Sequence, residues 1–270
     1  MKIARFTSGG RVLQGELIGS GKARVIEGGL DGLLSYTSGG GREVVQVDRL
    51  LAPIVPTDIL CIGVNYRQHA AETGSPIPEN PMLFIKSSNT LNDPGGQIVL
   101  PRNSSKVDFE AELCIVIGKA ARHVSREKAL DYVFGYTCAN DVSARDWQRE
   151  RSLGGGQFAR GKSFDTFCPL GPHIVTKDEI ADPNRLAIKL TVNGETMQDA
   201  STADMIYDVP ALIASLSSTL TLRPGSIILT GTPHGVGMGR NPPVWLKAGD
   251  AVAVTIEGIG VLENSCVSES

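Results

Sequence analysis

Asp108-Phe109-Glu110-Ala111-Glu112-Leu113-Cys114-Ile115-Val116-Ile117 is the stretch on which the reading of this chain turns. It reads as a β-strand, and because strand side chains alternate with period two, Glu110 and Glu112 point to the same face. Two carboxylates side by side repel unless a cation or solvent separates them. The run is therefore either a solvated strand face or part of a cation site, and its surroundings in the sequence have to decide.

Working outward, strand-like runs recur at Ile59 to Val64, Met82 to Lys86, Gly135 to Ala139, Leu186 to Val192, Ser226 to Thr230 and Ala251 to Ile256. Asn193-Gly194 between two such runs predicts a hairpin. Helical signals are short: Ser125 to Tyr132, Ala144 to Arg151, and Val209 to Ser218 with Pro210 at its start. The 31 Gly and 15 Pro are spread along the chain, as expected of many strands joined by turns. Strands outnumber helices without βαβ alternation, so the fold class is mixed and mainly β (α+β) rather than a doubly wound sheet. Lys2 to Thr7, Gly15 to Ile18 and Ala23 to Ile26 form a small β unit of their own. Pro53 and Pro56 mark a hinge after it. The expected division is a small N-terminal β domain, residues 1–52, and a larger domain, residues 53–270.

The 270 residues carry 26 Lys+Arg against 29 Asp+Glu, a net charge of −3. That balance offers no electrostatic footprint for nucleic acid or anionic lipid. Apolar runs such as Leu113 to Ile117 fall far short of the roughly 20 residues that cross a bilayer. The first residues, MKIARFTSGGR, lack the apolar run of a secretory signal, so cytoplasmic residence is expected. The five cysteines are an odd, widely spaced set without a C-x-x-C pair, which reads as reduced thiols.

Gly156 to Ser163, GQFARGKS, matches the P-loop pattern letter for letter. A P-loop needs a buried strand before it and a helix after it to hold phosphates on N–H groups. Here Leu153-Gly154-Gly155 precede the motif, and Pro169, Gly171 and Pro172 follow it closely. A phosphate-binding reading is rejected on that context.

A third acid, Asp141, closes the β-rich run YTCAND just before a helical signal, where it could also be an N-cap. Glu110, Glu112 and Asp141 together would make an all-oxygen site, suited to Mg²⁺, Mn²⁺ or Ca²⁺ and unsuited to zinc or copper. If Tyr66 to Glu72 form a short helix, His69 and Glu72 share a face at i, i+3 spacing. A carboxylate beside a histidine orients the imidazole and raises its basicity. The turn TGTPHGVG, Thr230 to Gly237, can aim backbone N–H groups and a hydroxyl at an anionic oxygen.

Taken in order, these blocks resemble the fumarylacetoacetate hydrolase family: GVNYRQHAAE, VDFEAELCIVIGK, ANDVSARDWQ, RGKSFDTFCPLGP, VNGE and ILTGTPHGVG. The resemblance covers about Pro53 to the C-terminus. It implies a β-roll catalytic domain, a homodimer, and Mg²⁺ or Mn²⁺ held by Glu110, Glu112 and Asp141. It further implies that His69 and Glu72 are a lid dyad, and that Gln148, Lys162 and Thr232 hold a substrate carboxylate and developing oxyanion. Tyr66 and Arg145 are weaker carry-overs, since they also suit packing or support of other side chains. The expected partner is a small keto acid.

The expected reaction is metal-dependent hydrolysis of a C–C bond in a 2,4-dioxo acid through a metal-stabilised enolate, with His69 activating water. The same enolate also serves oxaloacetate decarboxylation and keto–enol tautomerisation or hydroxymuconate-type isomerisation. These are the alternatives. A non-catalytic keto-acid-binding relative is a more remote one, against which the intact His69, Glu72 and Lys162 speak.

Overall fold

The computed structural model describes residues 1–41 and 43–270. The strand Ala111–Ile117 is buried along its whole length. Leu113, Ile115 and Ile117 enter the main hydrophobic core together with Ile188, Leu190, Val252 and Val254. On the opposite face, Cys114 and Val116 enter a second core with Ile3, Ile26, Leu33, Cys61 and Cys168. Both faces are covered by apolar side chains, so the run from Leu113 to Ile117 is apolar without alternation.

This strand lies inside a twelve-stranded sheet. It pairs antiparallel with Val133–Asn140 on one side and Ile227–Leu229 on the other. Ile59–Gly63 lies parallel to Ile227–Leu229, and Met82–Ile85 forms the far edge. In the other direction Val133–Asn140 pairs with Cys168–Thr176, which pairs with Lys2–Ser8. The sheet then continues through Arg11–Gly19, Lys22–Ile26 and Val44–Gln46. Residues of the first 52 thus share both a sheet and a core with the region that follows.

A second sheet of five strands runs in the order Glu195–Ser201, Ala187–Val192, Ala251–Ile256, Gly260–Ser268, Gln97–Leu100. Its inner residues supply the other side of the main core. The hairpin at Asn193-Gly194 is present, with Val192 opposite Glu195 and positive φ at both turn residues, 53° and 82°. The longest helix, Val209–Thr219, starts where Asp208 accepts a hydrogen bond from the Ala211 N–H at 2.9 Å. It buries Val209, Leu212, Ile213 and Leu216, one stripe at helical spacing. No helix among the described residues is long and apolar enough to cross a membrane.

Candidate active site

Strand register assembles the acids. Ala111 pairs with Asn140 and Glu112 with Ala139, and one step further the Asp141 N–H donates to the Glu110 carbonyl at 2.9 Å. One ligand oxygen from each of Glu110, Glu112 and Asp141 lies within 4.8 Å of the others. The three residues are 4%, 1% and 0% exposed, so the solvated-face alternative does not hold. Nor is Asp141 an N-cap. Ser143–Ala144 pairs with Val107–Asp108 first, and the helix Arg145–Arg149 begins only after Ala144.

Three buried cations surround these acids. Lys162 Nζ donates to Glu110 and, at 2.6 Å, to Asp141. Lys86 Nζ donates to the other Asp141 oxygen at 2.6 Å. Arg145 reaches Glu110 at 2.6 Å, Asp108 at 2.8 Å and Gln148 Oε1 at 3.0 Å. The P-loop look-alike serves this cluster. Its helix, Phe158–Lys162, lies against Arg145–Arg149 so closely that a Cβ on Gly161 would come within 2.7 Å of the Gln148 nitrogen. The glycine permits that helix contact, and the contact delivers Lys162 to the carboxylates.

Burial alone would raise the pKa of Glu110, but the Arg145 and Lys162 charges outweigh it and hold this carboxyl well below the usual range. Lys162 is held above its ordinary value: burial opposes its charge, and Asp141 and Glu110 more than compensate. Glu112 is pushed the other way, first by burial and then by the charges of Asp141 and Glu110. Its one described hydrogen bond is from the Gly231 N–H, at 2.6 Å. Gly231 has φ of +92°, and a Cβ there would lie 2.8 Å from the Asn65 Cβ, so only glycine lets the turn come this close.

The donor set is hard oxygen, converges from three positions, and contains one carboxyl that cannot ionise comfortably without a further cation. These residues fit a hard divalent ion. A thermal consequence follows. A carboxyl whose pKa is raised on folding contributes stability below its unfolded pKa, about 4.3, and loses it as pH rises through the folded value. In chelator, Glu112→Gln is therefore expected to unfold at a higher temperature than the wild type at about pH 8 and at a similar temperature near pH 5. Added Mg²⁺ should stabilise the wild type and leave the variant unmoved. Thermal unfolding under these four conditions checks it; a variant melting below wild type at high pH in chelator contradicts the assignment.

The short helix expected around His69 is Arg67–Thr73. His69 Nδ1 lies 3.2 Å from Glu72 Oε2, and Glu72 Oε1 accepts the Gly235 N–H at 2.9 Å. Burial tends to raise the Glu72 pKa, but the bonds from His69 and Gly235 lower it below the usual value. An ionised Glu72 assigns the proton to Nδ1 and leaves Nε2 as the free acceptor. His69, Glu110, Glu112, Arg145, Gln148, Lys162 and Thr232 line one cavity of about 70 Å³. Thr232 Oγ1 accepts from Gln198 Nε2 at 2.8 Å, which leaves its own O–H free to donate. Tyr66 is not among the lining residues; it packs in the main core, and its hydroxyl finds no partner.

Four further positions that contact the site had no signal strong enough to single them out. Lys86 directly follows a strand whose Met82, Leu83 and Ile85 are exposed while the lysine is 4% exposed, an inversion invisible to pattern reading. Asp108 anchors Arg145 and accepts the Gly237 N–H at 2.7 Å. Gln198 ties Thr232 to the Ala111 N–H. Arg149 lines the cavity beside Phe158 and Met238.

The family model described as fumarylacetoacetate (FAA) hydrolase C-terminal matches residues 58–267. The chain belongs to the fumarylacetoacetate hydrolase family. Among its relatives, the mitochondrial oxaloacetate tautomerase of Xenopus laevis is 49% identical over 219 residues, which is 81% of this chain and 68% of that protein. The corresponding human protein is 48% identical over 218 residues, 80% of this chain and 69% of its own length. Two solved structures of the family align along the chain. A 2-hydroxyhepta-2,4-diene-1,7-dioate isomerase from Mycobacterium marinum has a TM-score of 0.83 at 39% identity, covering 100% of this chain and 99% of that one. A fumarylacetoacetate hydrolase from Exiguobacterium antarcticum has a TM-score of 0.85 at 36% identity, covering 100% of both chains. The mainly β α+β fold is the family's fold, and its enzymes act on keto acids.

Cytoplasmic residence, expected from the polar first residues, is overturned by these relatives. Those of Xenopus laevis, rat, human and cattle are mitochondrial proteins.

Proposed function

We propose that this chain is a divalent-metal-dependent keto–enol tautomerase of oxaloacetate. The observation that carries this reading over C–C hydrolysis is the 47–49% identity of the chain to proteins named oxaloacetate tautomerases. The geometry supports it as well: a histidine with a free acceptor nitrogen lines the same cavity as Glu110, Glu112 and Lys162, and Asp141 lies directly behind them, bonded to Lys162.

Glu110, Glu112 and Asp141 would hold Mg²⁺ or Mn²⁺, which as a Lewis acid favours the enolate form of a 2-oxo acid. Lys162 and the Thr232 hydroxyl face the charge that develops on the substrate's oxygens. Gln148, whose amide oxygen is engaged by Arg145, keeps its NH₂ group for the substrate carboxylate. His69 Nε2 takes the proton from carbon 3, and a proton is returned to the 2-oxygen to give the enol; ketonisation runs the same transfers in reverse. Glu72 holds the ring in the required tautomer, while its bond to Gly235 ties the short helix to the Thr230 to Gly237 turn. Arg145 supports Glu110 and Gln148 from behind. A homodimer, which the resemblance implies, would cover the exposed Met82, Leu83 and Ile85 of the edge strand.

C–C hydrolysis remains the second reading, supported by the likeness to the Exiguobacterium antarcticum hydrolase. It uses the same head-group site but needs a water aimed at a distal carbonyl. The deciding experiment follows enol oxaloacetate by ultraviolet absorbance and its products by mass spectrometry, with and without Mg²⁺. Mg²⁺-dependent ketonisation without release of pyruvate or CO₂ is the expected result. Acetate and pyruvate formed from acetylpyruvate, with no effect on oxaloacetate, would reinstate hydrolysis; pyruvate and CO₂ from oxaloacetate would assign a decarboxylase.

A further inference from the structure

Lys162, Arg145 and Arg149 line the cavity and Lys86 lies behind it against Asp141; three of these four are already engaged. Lys86 is held by Asp141 and the Val142 carbonyl, Lys162 by Glu110 and Asp141, and Arg145 by Asp108, Glu110 and Gln148. The fourth, Arg149, lines the same cavity yet pairs with no carboxylate among the described residues. It is exposed where the others are buried, so it stands at the mouth rather than the floor.

We propose that Arg149 is a specificity-determining residue that receives the distal carboxylate of a short 2-oxo dicarboxylate whose other end lies at the acid triad. This rests on the tautomerase reading and says how that site would distinguish a diacid from a monoacid. Arg145 and Arg149 are one helical turn apart on Arg145–Arg149, a spacing that puts both on one side of the helix. The inner arginine supports the floor of the site and the outer one is left for a ligand.

The local backbone is built to hold Arg149 there. The Gly156 N–H donates to the Gln148 carbonyl at 3.1 Å, and the Gly155 N–H to the Glu150 carbonyl at 2.8 Å. A Cβ on Gly155 would lie 2.4 Å from the Arg149 carbonyl carbon. The glycine-rich segment therefore folds tightly over the end of the helix, and a side chain at position 155 would displace it.

Charge and size agree with a dianion of few carbons. Asp108, Glu110, Glu112 and Asp141 against Lys86, Lys162 and Arg145 leave one net negative charge when all are ionised. A divalent ion would convert this to one positive charge, which the ionised Glu72 beside His69 offsets, so Arg149 is the positive charge left for a distal carboxylate. Partial desolvation of its cavity-facing side and the neighbouring Arg145 charge hold Arg149 below its ordinary pKa, a tension that an anion relieves. The cavity of about 70 Å³ admits only a few water-sized groups, since one water needs roughly 10–15 Å³ by the same measure. The side chains of Phe158 and Met238 also line it, and neither offers a polar group to a long substrate tail.

The test compares Mg²⁺-loaded wild type, Arg149→Ala and Arg149→Lys by titration calorimetry. Its probes are 3,3-difluorooxaloacetate, a diacid that cannot enolise, and pyruvate, which has the same head without the distal carboxylate. Losing a charge-assisted hydrogen-bonded contact should weaken diacid binding about 10- to 100-fold in Arg149→Ala. Arg149→Lys should recover part of that loss, and pyruvate binding should be unchanged in all three proteins. With oxaloacetate as substrate, the loss should appear in KM with kcat little altered. Equal weakening for both probes, no weakening for the diacid, or a wild type that binds the diacid no better than pyruvate overturns the proposal. A wild type that prefers the diacid, loses that preference in Arg149→Ala and yet does not tautomerise oxaloacetate would uphold Arg149 and refute the proposed reaction.

Discussion

Asp141→Asn is expected to abolish metal-dependent turnover, by at least about 10³-fold in kcat/KM, because a Lewis acid at an enolate contributes several kcal/mol and each 1.4 kcal/mol or so is tenfold in rate. The substitution is nearly isosteric, so lost packing cannot account for the effect. It does disturb charge. Lys86 would be left in the interior facing a neutral amide and the Val142 carbonyl, 3.2 Å away, with no counter-charge, and an unpaired buried charge costs about 3–5 kcal/mol. The stability loss and the activity loss therefore have different causes, and a second change separates them. Adding Lys86→Met removes the stranded cation, so the double variant should regain most of the unfolding free energy while remaining inactive. Denaturant unfolding and Mg²⁺ titration of the two variants provide the readouts. Full activity in Asp141→Asn, or recovery of activity together with stability in the double variant, would remove Asp141 from the metal site.

His69→Ala should lower the rate of tautomerisation by about 10²- to 10⁴-fold, the range for loss of a positioned general acid–base group. Calorimetric binding of oxalate, which resembles the head of the substrate and has no proton to transfer at carbon, should be unaffected. Decarboxylation of oxaloacetate, if any is detected, should survive, because it requires no proton removal from carbon 3. Glu72→Gln should produce a smaller loss than His69→Ala, since it disturbs the ring's tautomer and its tether to Gly235 without removing the imidazole. A His69→Ala variant that tautomerises at the wild-type rate would show that the proton travels by another route.

The parts of the site that were readable in the sequence are the local ones. Period two pointed Glu110 and Glu112 to one face; the strand breaks at Phe109 and Glu110 and resumes at Ala111, yet the two carboxylates still converge, while i, i+3 spacing brought His69 to Glu72 within the helix Arg67–Thr73. The Asn193-Gly194 hairpin was equally local. The element Cys168–Thr176 was not readable, because Pro169, Gly171 and Pro172 argue against regular structure; the strand forms with a register shift opposite Tyr136 and Cys138. Gly260–Ser268 was missed too, since its burial alternates with polar residues that look like a surface loop.

The sequence by itself determined a mainly β enzyme fold of this family, three acids able to take a hard cation, and a histidine paired with its orienting carboxylate. All of these rest on neighbours within a few residues or on the order of the blocks. Only the tertiary structure decided that the acids are buried, that Lys162 reaches Glu110 across 52 residues and Lys86 reaches Asp141 across 55, and that Arg145 is consumed by Asp108 and Glu110 while Arg149 is left open. Periodicity fixes which face a side chain takes on its own element. Which charges meet across elements depends on strand register and on how closely helices such as Phe158–Lys162 can approach their neighbours. A buried charge requires a partner of opposite sign, and that partner can come from anywhere in the chain.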